Sequence, residues 1–162
     1  MIDPNFPLID LHRHLDGSVR LETILELGRQ HNLPLPAWDV EGLRPYVQVT
    51  DPQPGVMAFI SKFHWMIAIL VDYQACRRVA YENVEDALAE GLDYVELRFS
   101  PWFMAQANGL DPFGVVEAVC DGIRGGTRCH PCRPCRGRLR ESCVQGGGPS
   151  RPMGCAPRVC RD

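Results

Sequence analysis

The chain has 162 residues, 45% of them apolar and 23% charged, with a formal net charge of −3, enough for one globular domain with its own core. No stretch approaches the roughly 18 uninterrupted apolar residues of a membrane span, and "MIDPNFPLID" has neither the basic start nor the apolar core of an export signal, so a cytoplasmic home without membrane partners is expected. The charge is divided unevenly, with −9 on residues 1–126 and +6 on residues 127–162.

The first predicted element is a strand. Residues 7–11 form an apolar run too short for a helix and ended by polar residues, which reads as a buried strand. From Leu21 the pattern turns helical, with Leu21, Ile24, Leu25 and Gly28 on one face, and "NLPLP" at 32–36 stops it because proline lacks the amide donor. Residues 37–54 read as loop with one short helix. Val56, Phe59, Ile60, Phe63, Met66, Ile67 and Leu70 then keep a 3–4 spacing through four turns of a single helix. The next helix runs from a cap at Asp72 to Glu90, with Gly91 as its stop. "LDYVELRFSP" is a strand ended by Pro101. Asp111 and Pro112 open a last helix with Val115, Val116, Val119 and Cys120 inward. Strands alternating with helices predict α/β architecture on a parallel sheet.

The final segment is different in kind. Residues 127–162 hold eight Arg and six of the eight Cys (129, 132, 135, 143, 155 and 160), and Arg, Gly, Pro and Cys make up 24 of its 36 residues. So little apolar content cannot offset the entropy of ordering, and a disordered tail is expected. The abrupt loss of periodicity after "DGIRGG" is what a GC-rich gene read out of frame would give.

The chemistry-bearing motif is "LIDLHRHLDGS". Alternate strand side chains share a face, so His12 and His14 point the same way, with Cα atoms roughly 6.6 Å apart, and Arg13 points opposite. Two neutral imidazoles so placed suit a zinc ion, and the end of a parallel strand is where α/β barrels gather their chemistry. The plainer alternative is two surface histidines at a loop. Asp16 reads either as half of an Asp-Gly turn or as an acceptor for a substrate hydroxyl.

"LIDLHRHLDGSVRLETILELGRQ" closely resembles the first strand and helix of the adenosine deaminases, zinc enzymes of the metal-dependent hydrolase superfamily. "ACRRVAYENVEDALAEGLDYVELRFSP" and "GVVEAVCDGIR" continue the likeness in register. It is strongest to the bacterial enzymes and covers residues 1–126, while residues 127–162 look unrelated. The resemblance implies an incomplete N-terminal part of a (β/α)8 TIM barrel with one Zn²⁺ at its mouth. It implies His12 and His14 as metal ligands, His14 and Asp16 as substrate-binding residues, and the helix of Phe59 and Phe63 as an apolar lid over the purine. Ordinary core packing is the alternative for either phenylalanine. Related adenine deaminases tend to carry Glu where this chain has Asp16, which favours a nucleoside over a free base. The implied reaction is hydrolytic deamination of adenosine and 2'-deoxyadenosine to inosine and ammonia, in purine nucleoside salvage.

The family's "HAGE" stretch, with a third zinc histidine and the proton shuttle, has no counterpart here. Neither has its later water-assisting histidine, so no catalytic residue is assigned within this chain. The remaining histidines are His31, His64 and His130, none in matching context. A barrel of this kind takes about 250 residues. The expectation is therefore a truncated chain, inactive alone, holding zinc weakly, and prone to aggregate or to pair with a complementing fragment. The other function class is a metal- or nucleic-acid-binding protein acting through the Cys/Arg tail. "HPCRPC" contains Pro-Cys-x-x-Cys, but no His-x-Glu precedes it as the other zinc deaminases require. A second Cys-x-x-Cys at zinc-ribbon spacing is missing. The tail has no aromatic for base stacking, so no specific nucleic acid is expected.

Overall fold

Two parallel strands, β1 (Ile9–His14) and β2 (Tyr94–Arg98), lie side by side in the computed structural model, which describes residues 6–52 and 54–128. Ile9 pairs with Tyr94, Asp10 with Val95, Arg13 with Leu97 and His14 with Arg98. Between Asp10 and Arg13 β1 carries one residue more than β2, which is a β-bulge. The adjacency and parallel sense follow the expected βα order, but the strand runs on to include both histidines.

Burial departs from expectation. Ile9 is 54% exposed and Leu11 58%, whereas a buried strand was predicted from their apolarity. Helices cover the side of the sheet that carries Val95 and Leu97, and among the described residues no further strand or helix closes over Ile9 and Leu11.

The helices form largely where periodicity put them. α1 (Leu21–Gln30) buries Leu21, Ile24, Leu25 and Gly28, and the chain reverses through Asn32, at φ 52°. α2 (Val40–Val47) is the short helix expected in the 37–54 stretch, with the Asp39 carboxylate accepting from the Gly42 amide. The single helix expected from Val56 to Leu70 is instead two, α3 (Val56–Ser61) and α4 (Phe63–Ala68). At Lys62 the amide reaches back only three residues, to the Phe59 carbonyl, and the Lys62 ammonium donates to the Pro45 carbonyl. α4 buries Met66 and Ile67, while α3 buries nothing.

α5 (Tyr73–Ala89) begins at the predicted cap, where the Asp72 carboxylate accepts from the Ala75 amide at 2.8 Å. It stops ahead of Gly91, whose φ of 75° suits glycine. Pro101 does more than end a strand. It occupies the first turn of α6 (Pro101–Gln106), with the Ser100 hydroxyl accepting from the Phe103 amide. "SP" after a strand is a cap followed by an N1 proline, a signal the sequence reading spent on the strand's end. α7 (Pro112–Arg128) buries Val115 and Val119 completely, with Val116 and Cys120 half-buried. It lies so close to α5 that Gly114, Gly122 and Gly126 sit against Tyr73, Arg77 and Val84. No single helix among the described residues is long and apolar enough to cross a membrane. The expected tail boundary at 127 is shifted, because α7 continues through Arg128; the rest of the tail, with its cysteines from 129 onward, lies outside the described residues.

The core joins Leu15, Ile24, Leu43, Leu70, Met104 and Val119, all with no exposed surface. Outside it, Val56, Met57, Phe59 and Ile60 of α3 and Trp102 of α6 remain exposed. Apolar faces of this extent are association surfaces, and among the described residues each strand of the two-stranded sheet has an open edge. In sedimentation velocity the polypeptide is expected to run as species heavier than its 18.2 kDa. A single monomeric boundary with a sharp, cooperative thermal transition would refute this.

Candidate metal and substrate site

The end of β1 brings the two histidines together. His12 Nε2 and His14 Nε2 lie 3.1 Å apart, with ring centroids 5.0 Å apart. At that distance, without an ion, one ring must carry its proton on Nε2 and donate to the other. Two nitrogens so spaced also fit one zinc ion. At Zn–N distances of 2.0–2.1 Å they would subtend about 100°, close to the tetrahedral angle. The residues present therefore fit the metal as two donors. Among the described residues no cluster of three or more His, Cys, Asp or Glu side chains is placed to hold one.

After His14 the chain makes one 3₁₀ turn, Leu15–Gly17, pinned by the fully buried Leu15. This turn carries Asp16 inward, leaving it only 5% exposed. Its Oδ1 is buried without a hydrogen-bond partner and lies 3.6 Å from His14 Nδ1. That separation is too long for a hydrogen bond but within electrostatic reach. A carboxylate on the Nδ1 side favours the tautomer with its proton there, freeing Nε2 as a metal donor. Burial pushes the Asp16 carboxyl up from its ordinary value, opposed by His14 and by the backbone amides of Asp16 and Ser100. A buried acceptor with an unused oxygen is suited to a ligand hydroxyl.

Phe63 flanks the same turn. A Cβ on Gly17 would stand 2.9 Å from Phe63 Cε1, so the ring lies directly on Gly17. Phe59 meets Phe63 edge-on, centroids 5.5 Å apart, but is itself 46% exposed. The structure thus gathers His12, His14, Asp16 and Phe63, with Phe59 one ring further out. Phe63 also packs against the core.

The loop behind the site is clipped to α5. The Asn83 amide donates to the carbonyls of Ser18 (2.9 Å) and Val79 (3.0 Å). Arg20 reaches Asp86 at 2.6 Å and Glu85 at 3.1 Å, and the Thr23 hydroxyl donates to buried Glu82 at 2.6 Å. Sequence reasoning passed over Glu96 and Arg98, 3.7 Å apart. The alternation of "YVELR" with the pairing of His14 to Arg98 puts both on the histidines' side of the sheet. It also passed over Asp10. Without the bulge Asp10 would share the face of His12; with it, Asp10 bonds Arg13 instead. The His12 amide holds the Asp10 carboxyl below its ordinary range.

Residues 7–132 match the family model described as adenosine deaminase. The chain is 62% identical to the adenosine deaminase of Pseudoalteromonas translucida over 128 residues, which is 79% of this chain and 38% of that protein. Among solved structures it is similar to an amidohydrolase from Burkhoderia ambifaria with bound Zn, at TM-score 0.62 and 22% identity, covering 84% of this chain and 35% of the other. That likeness concerns fold alone. Arabidopsis ADAL complexed with IMP gives TM-score 0.57 at 26% identity over 76% of this chain and 35% of that one. The chain thus spans little more than a third of the length of these relatives.

Proposed function

The chain belongs to the adenosine deaminase family, and on that premise we propose that residues 8–18 are the metal- and nucleoside-binding edge of a zinc-dependent deaminase. The substrate would be adenosine or 2'-deoxyadenosine and the products inosine and ammonia, a step of purine nucleoside salvage. The observation that carries this reading is the 3.1 Å His12–His14 pair beside a buried Asp16 with an unpartnered oxygen. A purine nucleotide seated in the related ADAL supports the substrate class.

His12 and His14 would hold the metal through Nε2. The chemistry zinc supplies in such a place is acidification of water, giving a nucleophile at neutral pH. Asp16 orients the His14 ring from its Nδ1 side and offers Oδ1 to a hydroxyl of the nucleoside sugar. Phe63, with Phe59 outside it, supplies an apolar wall against which a purine face can lie and from which water is excluded. The site would belong to one end of a barrel to which the described residues contribute two strands.

Two donors leave an ion mostly hydrated, so zinc binding is expected to be weak. Zinc added to the whole chain should shift the imidazole ¹⁵N signals of His12 and His14 together and saturate with one affinity. In the His12→Ala/His14→Ala variant no other histidine should take over that response. Zinc taken up with both signals unmoved would place the metal elsewhere and sink the assignment.

A further inference from the structure

Between the two candidate donors, Arg13 turns to the opposite side of β1, where only 14% of its side chain is exposed. Its Nε donates to Asp10 Oδ2 at 3.1 Å, and its terminal nitrogen donates to the Glu90 carboxylate just past the end of α5. The other Asp10 oxygen, Oδ1, accepts from the His12 amide at 3.0 Å. These contacts span the bulge. A bulge leaves a backbone amide without its ladder partner, and a carboxylate two residues earlier is well placed to satisfy it. Asp10 thus closes the bulge with one oxygen and grips the guanidinium with the other.

Something must fix the roll of β1 about its own axis, because roll decides where both imidazoles point. Apolar packing does not supply it, since Ile9 and Leu11 are exposed. Among the described residues the ladder to β2 holds one edge only. Leu15 anchors the end of the strand in the core, and a further attachment comes from behind, through Arg13 to Glu90. We infer that Asp10, Arg13 and Glu90 are positioning residues that lock the roll of β1 so that His12 and His14 converge on one metal ion. This rests on the reading of the two histidines as metal donors.

The experiment is a zinc titration of the whole chain, followed through the His12 and His14 imidazole signals so that zinc on the cysteines of the tail does not enter. Arg13→Met is expected to weaken zinc binding at these rings about tenfold, the lower end of the loss on removing an outer-shell partner. In a His12→Ala background the same change should cost about twofold at most, because no second ring remains to be aligned. Glu90→Gln, which keeps an acceptor for the guanidinium and disturbs folding least, should weaken binding about threefold in the two-histidine chain only. Equal losses in both backgrounds would show that Arg13 only maintains the fold, and no loss in either would show that it does nothing for the pair. Both results overturn the inference. Zinc that fails to move either ring in the unchanged chain overturns the donor reading itself, and this inference with it.

Discussion

Polypeptide 1–162, supplied with zinc, is expected to leave adenosine unconverted, with a rate roughly 10⁴-fold or more below that of a full-length relative. The reason lies in what the site holds. On the proposed reading, two imidazoles would grip a metal loosely and would leave the position of the attacking water undefined. The proposed reaction would also need a proton delivered to the purine ring. General acid–base help of that kind contributes typically about 10²–10⁴-fold. Asp16 is already assigned on the proposed reading, its unpartnered oxygen beside His14 being set aside for a sugar hydroxyl. The other described histidines are elsewhere: His31 follows α1, and His64 stacks edge-on against Trp65. Lost metal affinity compounds the deficit. The check is the absorbance change as adenosine becomes inosine, with a full-length enzyme as positive control. Zinc-dependent turnover removed by His14→Ala would prove the expectation wrong and show that association of chains rebuilds the site.

The largest expected effect on stability comes from Gly122→Ala. A Cβ there would stand 2.2 Å from the Arg77 carbonyl oxygen, a backbone atom of α5 that cannot swing aside. The two helices would have to separate, opening the contact that also buries Val115 and Val119. Alanine gains about 1 kcal/mol of helix propensity over glycine, whereas overpacking costs about 1–3 kcal/mol and sometimes more. Against backbone the cost should lie at the top of that range, about 3 kcal/mol, leaving a net loss of about 2 kcal/mol. Gly125→Ala provides the contrast on the same helix. Its Cβ would meet the Tyr81 ring edge at 3.3 Å and the Arg77 guanidinium at 3.7 Å, both side-chain groups that can give, and propensity should leave stability unchanged or slightly raised. Urea midpoints measured at one dilute concentration distinguish the two. A Gly122→Ala midpoint equal to that of Gly125→Ala would mean that α5 and α7 are not held at this separation.

Local signals in the sequence were strong and mostly honoured. Asp72 and Gly91 bound α5 because a cap and a left-handed stop act within a few residues, and Asp111–Pro112 opens α7 for the same reason. The histidine pair was legible because alternation survives from residue 12 to residue 14. What sequence could not show depends on partners distant along the chain. The break at Lys62 involves the Pro45 carbonyl, and the bulge depends on register against a strand some eighty residues away. The exposure of Ile9 and Leu11 was illegible for a further reason. Apolarity records which surfaces a sequence is built to cover, and these two residues lack a cover in the described structure.

The pairing of β1 with β2 also has a consequence in time. Leu8 and Asp93, joined at 2.9 Å beside the strands, are 85 residues apart. A ribosome adding about 5–20 residues per second takes about 4–17 seconds to cover that distance. Throughout that interval β1 is out of the exit tunnel or nearing it with no strand to pair with, and α1 and α2 are complete before its partner exists. Parallel order allows no earlier hairpin to shelter it. The segment carrying both histidines is thus made well before the strand it pairs with, and during synthesis its open backbone and apolar side chains are available to whatever chaperone or neighbouring nascent chain meets them.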